Sequence, residues 1–137
     1  MPITYEIVPE RRYVETTMAP PVDLEDVLEY YRQLFADPAF RHEFDGLVVV
    51  GGAIRGWTPD QVQTLARVIR RSRFPPSRRA LVSDDPEICH LLGEFARLTV
   101  ALERRFRVFR TRDEALRWLD ESARGAPGAP PPPEGTG

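Results

Sequence analysis

The sequence predicts an α/β domain with a mostly parallel sheet, its elements running β-β-α-β-α-β-α-β-α. Three observations predict it. Leu47-Val48-Val49-Val50 is an apolar run without alternation, the mark of a strand covered on both faces. Segments with apolar residues at three- and four-residue spacing alternate with such short β-branched runs. Proline- and glycine-bearing breaks separate the two kinds of segment. Alternating strand and helix implies parallel pairing through right-handed crossovers, and an opening hairpin adds one antiparallel strand.

Ile3 to Val8 and Tyr13 to Met18 each alternate apolar and polar residues around Pro9-Glu10-Arg11-Arg12, a proline-led turn, and so form the hairpin. Asp23 opens the first helix, with Glu25 and Asp26 in its first turn, where carboxylates suit the positive end of the helix dipole. Leu24, Val27, Leu28, Tyr31, Leu34 and Phe35 give it one apolar face, and Asp37-Pro38 ends it. The Leu47–Val50 strand passes through Gly51, Gly52 and Gly56 to Thr58-Pro59-Asp60-Gln61. There threonine caps a second helix, proline takes its first position and Gln61 completes a capping box. Val62, Leu65, Ala66 and Ile69 form its buried stripe. After Phe74-Pro75-Pro76 comes a short strand, Ala80-Leu81-Val82, and Asp85-Pro86 opens a third helix with Ile88, Leu91, Leu92, Phe95, Leu98 and Leu102 inward. Phe106, Val108 and Phe109, set among Arg105, Arg107 and Arg110, suit an edge strand. Thr111 and Glu114 then open a last helix carrying Leu116, Trp118 and Leu119.

A chain of 137 residues with 42% hydrophobic content supports one domain, expected over residues 1–122. Residues 123–137 are glycine, proline and small residues that bury too little to order themselves, so a disordered tail is expected there. A single cysteine, Cys89, excludes an intrachain disulfide and a cysteine-based metal cluster. The opening residues lack the pattern of a signal peptide, and no apolar stretch reaches the roughly 20 residues that span a bilayer. A cytoplasmic protein without membrane contact is the expectation. The net charge of −2 gives no general attraction to nucleic acid, and none is expected as a partner. The dense basic group, Arg67, Arg70, Arg71, Arg73, Arg78 and Arg79, reads as cations gathered at a helix C-terminus, since interleaved aromatics are lacking beyond Phe74.

The loop after the central strand is the natural place for function. Its G-x-x-x-x-G-x-T spacing approaches a phosphate-binding loop, but Trp57 stands where the lysine must be. The dinucleotide pattern fails as well, because Ala53 takes its middle glycine position. No cofactor is therefore expected. The candidate binding residues are Gly52, Arg55, Trp57 and Thr58, with Arg55 offering a charge and Trp57 an apolar lid over a helix N-terminus. The competing reading is that the glycines shape a turn, Trp57 packs and Arg55 is solvated. Cys89 and His90 are adjacent on a helix and diverge by about 100°, so they do not form a nucleophile–base pair. His42 lies before the central strand, and Asp85 already has a capping role. No complete catalytic set can be assembled, and a catalytic or metal site is not expected.

The region from PITYEI through EALRWLD resembles the SpoIIAA-like family of the STAS-like fold, related to the anti-sigma-factor antagonists. The likeness rests on PITYEIVPERRYV, LFADPAFRHEFDGLVV and FRVFRTRDEALRWL. It implies a non-enzymatic domain acting through protein–protein contacts in regulation or signalling, with a homo-oligomer allowed. In the antagonists a phosphorylatable serine sits in a D-S-S/T-G motif after the central strand; here Arg55-Gly56-Trp57-Thr58-Pro59 replaces it. Thr58 is the nearest hydroxyl, and as a helix cap its oxygen is engaged with the backbone. The alternative to a protein partner is a small apolar or weakly anionic ligand held by that loop. An apolar pocket beside Trp57 would point to a ligand, and a flat apolar patch elsewhere to a partner.

Overall fold

Pro9 cannot extend the pairing of the first strand, and a single 3₁₀ turn, Pro9–Arg11, carries the chain round to Arg12 in the left-handed region at φ 57°. The computed structural model describes residues 2–41, 43–71, 78–99 and 106–124, with the side chains of residues 70, 71 and 122–124 left aside. Strands β1 (Ile3–Val8) and β2 (Tyr13–Met18) form the antiparallel hairpin, Ile3 opposite Met18 and Val8 opposite Tyr13. Helix α1 (Leu24–Ala36) leads to β3 (Asp45–Val49), α2 (Pro59–Arg71) to β4 (Arg79–Val82), and α3 (Pro86–Leu98) to β5 (Phe106–Phe109); α4 (Arg112–Arg124) closes the order. β2 to β5 are parallel, and the sheet runs β1-β2-β3-β4-β5. The α/β order and sheet character are those the sequence predicts. β3 begins at Asp45, two residues before its β-branched run, because Asp45 and Gly46 pair with Tyr13 and Val14 of β2.

Each parallel step moves to the next strand in one direction, so right-handed crossovers place their helices on a single face. α1, α2 and α3 indeed bury Val27, Tyr30, Leu34, Val62, Ala66, Ile69, Ile88, Leu92 and Phe95 in one core with Val14, Val48, Leu81 and Phe106. The opposite face is left to α4, whose Ala115 and Leu119 pack on Tyr13, Leu47, Ala80 and Val82. α4 covers β3, β4 and β5. Thr4, Glu6 and Thr17 on that side of the hairpin stay exposed. This is why β1 and β2 alternate in sequence while the middle of β3 and β4 does not.

The helix starts follow their caps. The Asp23 carboxylate accepts from the Asp26 N–H at 2.8 Å, and Asp26 returns the bond to the Asp23 N–H at 3.0 Å. The Thr58 N–H donates to Gln61 Oε1 at 2.8 Å, and Asp85 accepts from the Glu87 N–H at 2.9 Å. The Thr111 hydroxyl accepts from the Glu114 N–H at 3.2 Å, but the Glu114 carboxylate returns to that hydroxyl rather than to the backbone.

Arg79 corrects the expectation of a helix-end basic group. It opens β4 on the three-helix face and is only 4% exposed, with Nη1 donating to the Phe44 carbonyl at 3.0 Å and the Arg78 carbonyl at 3.1 Å. Burial lowers its pKa, against the raising influence of Tyr31, Tyr30 and Asp45. Gly46, its neighbour across β3, makes room for it: a Cβ there would lie 2.6 Å from Arg79 Cδ. Arg73 and the side chains of Arg70 and Arg71 fall outside the described residues, as do His42, Leu102, Arg105 and residues 125–137, which hold most of the expected tail.

Candidate functional site

The loop between β3 and α2 is three successive turns. The Ala53 N–H donates to the Val50 carbonyl, Arg55 to Gly52 and Trp57 to Ile54, at 3.0 to 3.2 Å. Gly51 and Gly56 have φ of 57° and 91°, which side-chain-bearing residues rarely adopt, so these two glycines are required by the backbone. Neighbouring loops hold it on both sides. The Ser83 hydroxyl donates to the Gly51 carbonyl at 2.7 Å, and the Val22 N–H donates to the Ala53 carbonyl at 3.2 Å.

The four candidate residues do not share one site. Trp57 is half-buried, and its indole N–H donates to the Val22 carbonyl at 2.8 Å, which turns the ring inward beneath the loop. Arg55 points the other way. Its guanidinium pairs with the Asp85 carboxylate at the start of α3 while remaining largely in solvent. That contact holds Asp85 below the usual carboxylate range, aided by the N–H groups it caps. Gly52 leaves space for this arginine, since a Cβ there would come within 3.3 Å of Arg55 Nη2. Thr58 is the α2 cap, its Oγ1 accepting from the Gln61 N–H at 3.3 Å. Gly52, Arg55 and Thr58 thus have local structural duties, and Trp57 alone faces a cavity.

That cavity lies between the sheet and the three-helix layer. Its walls come from Met18 at the end of β2, Val48, Val50 and Leu81 in the sheet, Ile54 and Trp57 in the loop, and Val27, Tyr31, Val62, Leu65, Leu91, Leu92 and Phe95 on the helices. Every lining residue is apolar or aromatic, and a water-sized sphere has about 50 Å³ to occupy. The polar atom closest in kind is the Tyr31 hydroxyl, whose pKa burial pushes up, so it stays protonated. A neutral apolar wall offers an anion nothing, and the weakly anionic ligand expected from Arg55 is not supported by this geometry. The physical reason lies in the topology. With all parallel steps running one way, the sheet has no reversal of strand order, and so lacks the crevice beside a reversal where α/β sheets hold polar ligands.

Cys89 is half-buried and its thiol donates to the Ser83 carbonyl at 3.0 Å; His90, next to it, is exposed. Among the described residues no group of three or more His, Cys, Asp or Glu side chains is placed to hold a metal ion, and no helix is long and apolar enough to cross a membrane. Sequence reasoning assigned Met18, Tyr31, Leu65, Leu91 and Phe95 to strands or core stripes at most. Their periodicity marks them as inward-facing, but nothing in spacing shows where inward-facing side chains fail to meet. No protein-family model matches the chain, and neither a curated protein nor a solved structure does.

Proposed function

We propose that this chain is a non-enzymatic binding domain whose cavity beside Trp57 receives the apolar end of a small molecule. The observation that carries the proposal is the predominantly apolar lining of that cavity, with Trp57 fixed over it by the Val22 carbonyl. The polar residues around the loop are engaged as caps and loop ties, which leaves the pocket chemistry to shape and apolar contact. Among the described residues Val68, at 38%, is the one large hydrophobic side chain that counts as exposed. A broad apolar docking face of the kind a stable partner needs is therefore not what the described surface offers.

Action through a protein partner is the second reading, in line with the resemblance to the SpoIIAA-like family. It is favoured by the cavity's size: about 50 Å³ suits one inserted side chain, whereas small-molecule sites typically begin near ~300 Å³. Both readings place Trp57 at the contact, and native mass spectrometry of protein purified from its own host separates them. A retained apolar small molecule supports the first. A bare domain that co-purifies with another protein instead overturns it. Leu65→Trp, which fills the cavity from α2, should abolish retention of the small molecule while leaving the far-UV circular dichroism of the fold intact.

A further inference from the structure

The strand order leaves two edges, β1 and β5, and their chemistry is complementary. β1 is six residues of regular pairing without a proline or a bulge, so its outer edge carries none of the backbone devices that blunt exposed strands. Its exposed charge is Glu6. Within the hairpin Glu6 stands opposite Glu15, a like-charge pair. Glu15 is neutralised by Arg112, whose Nε and Nη2 donate to its two oxygens at 2.9 and 2.7 Å, while Glu6 has no ion pair among the described residues. Asp26 of α1 lines a surface groove with Pro2 and Ile3 beside the same edge, while Glu29 there is paired with Arg32. The β5 edge is basic: Arg107 is exposed at its centre and Arg110 follows it.

We propose that this chain self-associates head to tail, β1 of one copy adding as an antiparallel strand to β5 of the next. The directions fit without inversion. β1 runs opposite to the other four strands, so a copy in the same orientation presents it antiparallel to β5. The faces fit as well. Ile3, Tyr5, Ile7, Phe106 and Val108 belong to the three-helix face, and Thr4, Glu6, Arg107 and Phe109 to the α4 face. With Glu6 opposite Arg107, Phe106 meets Ile7, Val108 meets Tyr5 and Phe109 meets Thr4. Apolar side chains then meet on one face and opposite charges on the other. A one-residue slip puts every side chain on the wrong face, and a two-residue slip sets Arg107 against Thr4 or Val8. The Arg107 guanidinium already lies over the rings of Phe109 and Trp118, 5.7 and 5.9 Å from their centres, which holds it on the α4 face where Glu6 arrives. Pairing like edges does worse: two β5 strands bring arginines together, and two β1 strands leave Glu6 without a cation.

A junction of four residues per strand is small, so the association is weak and shows at high protein concentration. Because the two surfaces differ, it does not stop at a dimer unless a ring closes. The inference needs neither Trp57 nor an occupant of the cavity. Sedimentation velocity of the full chain tests it over a concentration series at low salt. The average mass should climb past that of a dimer, and added salt should lower it. Arg107→Glu and Glu6→Arg should each weaken self-association roughly 2- to 30-fold, by replacing an attractive cross-strand pair with a repulsive one. The two single variants mixed together, or both substitutions in one chain, should restore it. A chain that stays monomeric throughout overturns the proposal. So does an assembly that Arg107→Glu leaves unchanged, the behaviour of a two-fold dimer through β1. Both positions are exposed, and a retained cooperative thermal transition confirms that the variants remain folded.

Discussion

Arg79 and Tyr30 show how single residues set the character of the three-helix core. An arginine in a strand is tolerated inside only where its donors are met, and here the Phe44 and Arg78 carbonyls accept them while Gly46 yields the space. Gly46→Ala should cost about 1–3 kcal/mol, because the new methyl group overlaps a side chain that is pinned at its far end. In an Arg79→Ala background the same change should cost much less, and urea denaturation of the four proteins in that cycle measures the difference. Tyr30 is buried beside it, its hydroxyl sharing a hydrogen bond with Thr16 Oγ1, and Thr16 is 1% exposed. Tyr30→Phe strands the threonine hydroxyl and should cost about 1–3 kcal/mol, whereas adding Thr16→Val removes the orphan and should recover part of the loss. If the double variant is no more stable than the single, the hydrogen bond is not what the tyrosine supplies.

At the scale of elements, the helices are set by their caps and α4 by one reach across the sheet. Thr58→Ala removes the α2 cap and should lower stability by about 1 kcal/mol in thermal melts, with Thr58→Ser close to neutral. Arg112, in the first turn of α4, spans from that helix to Glu15 on β2 with both oxygens engaged. This pairing pulls the Glu15 pKa below its ordinary value of 4.5, outweighing partial burial, which raises it. A carboxylate whose folded pKa is depressed stabilises the fold fully above its unfolded pKa, and that stabilisation disappears as pH falls through the folded value. Stability should therefore decline below about pH 4.5, with Glu15 contributing up to ~1 kcal/mol of it because the pair is partly in solvent. Glu15→Gln should flatten that acid limb in denaturation curves taken over a pH series. An unchanged limb would assign it to other carboxylates.

The molecule as a whole is lopsided, with three helices on one face of the sheet and one on the other. Among the described residues α4 is the helix that covers Leu47, Ala80 and Val82, and its own Leu119 is 6% exposed. Leu119→Ala should cost about 2–5 kcal/mol, as deletions of a buried leucine do. A chain ending at Thr111 should show no cooperative thermal transition, because the centre of the sheet would lose one apolar cover entirely. The sheet has no reversal of strand order, and the cavity beside Trp57 lies within the apolar layer between the sheet and the three helices.

Much of this architecture is written locally. The Leu47–Val50 run, the alternation of the hairpin strands and the caps at Asp23, Thr58 and Asp85 each fix an element within a few residues of itself, through burial pattern and hydrogen bonding that neighbours in sequence supply. The one-sided helix layer also follows from element order, since crossover handedness is a property of the chain. The candidate site was legible only in part. Trp57 carried the signal of a large aromatic in a loop, and it does face the cavity; Arg55, offered as a charge for a ligand or as a solvated residue, pairs with Asp85. That ion pair joins residues thirty positions apart, as the Gly46–Arg79 contact joins two strands, and no local pattern encodes either. By itself the sequence determined the order of the elements, the helix caps and most of the inward-facing apolar stripes, but not that Arg79 and Tyr30 turn inward or that β3 begins at Asp45. Only the tertiary structure decided which inward-facing side chains meet and which leave a gap, because packing depends on volumes brought together from distant parts of the chain.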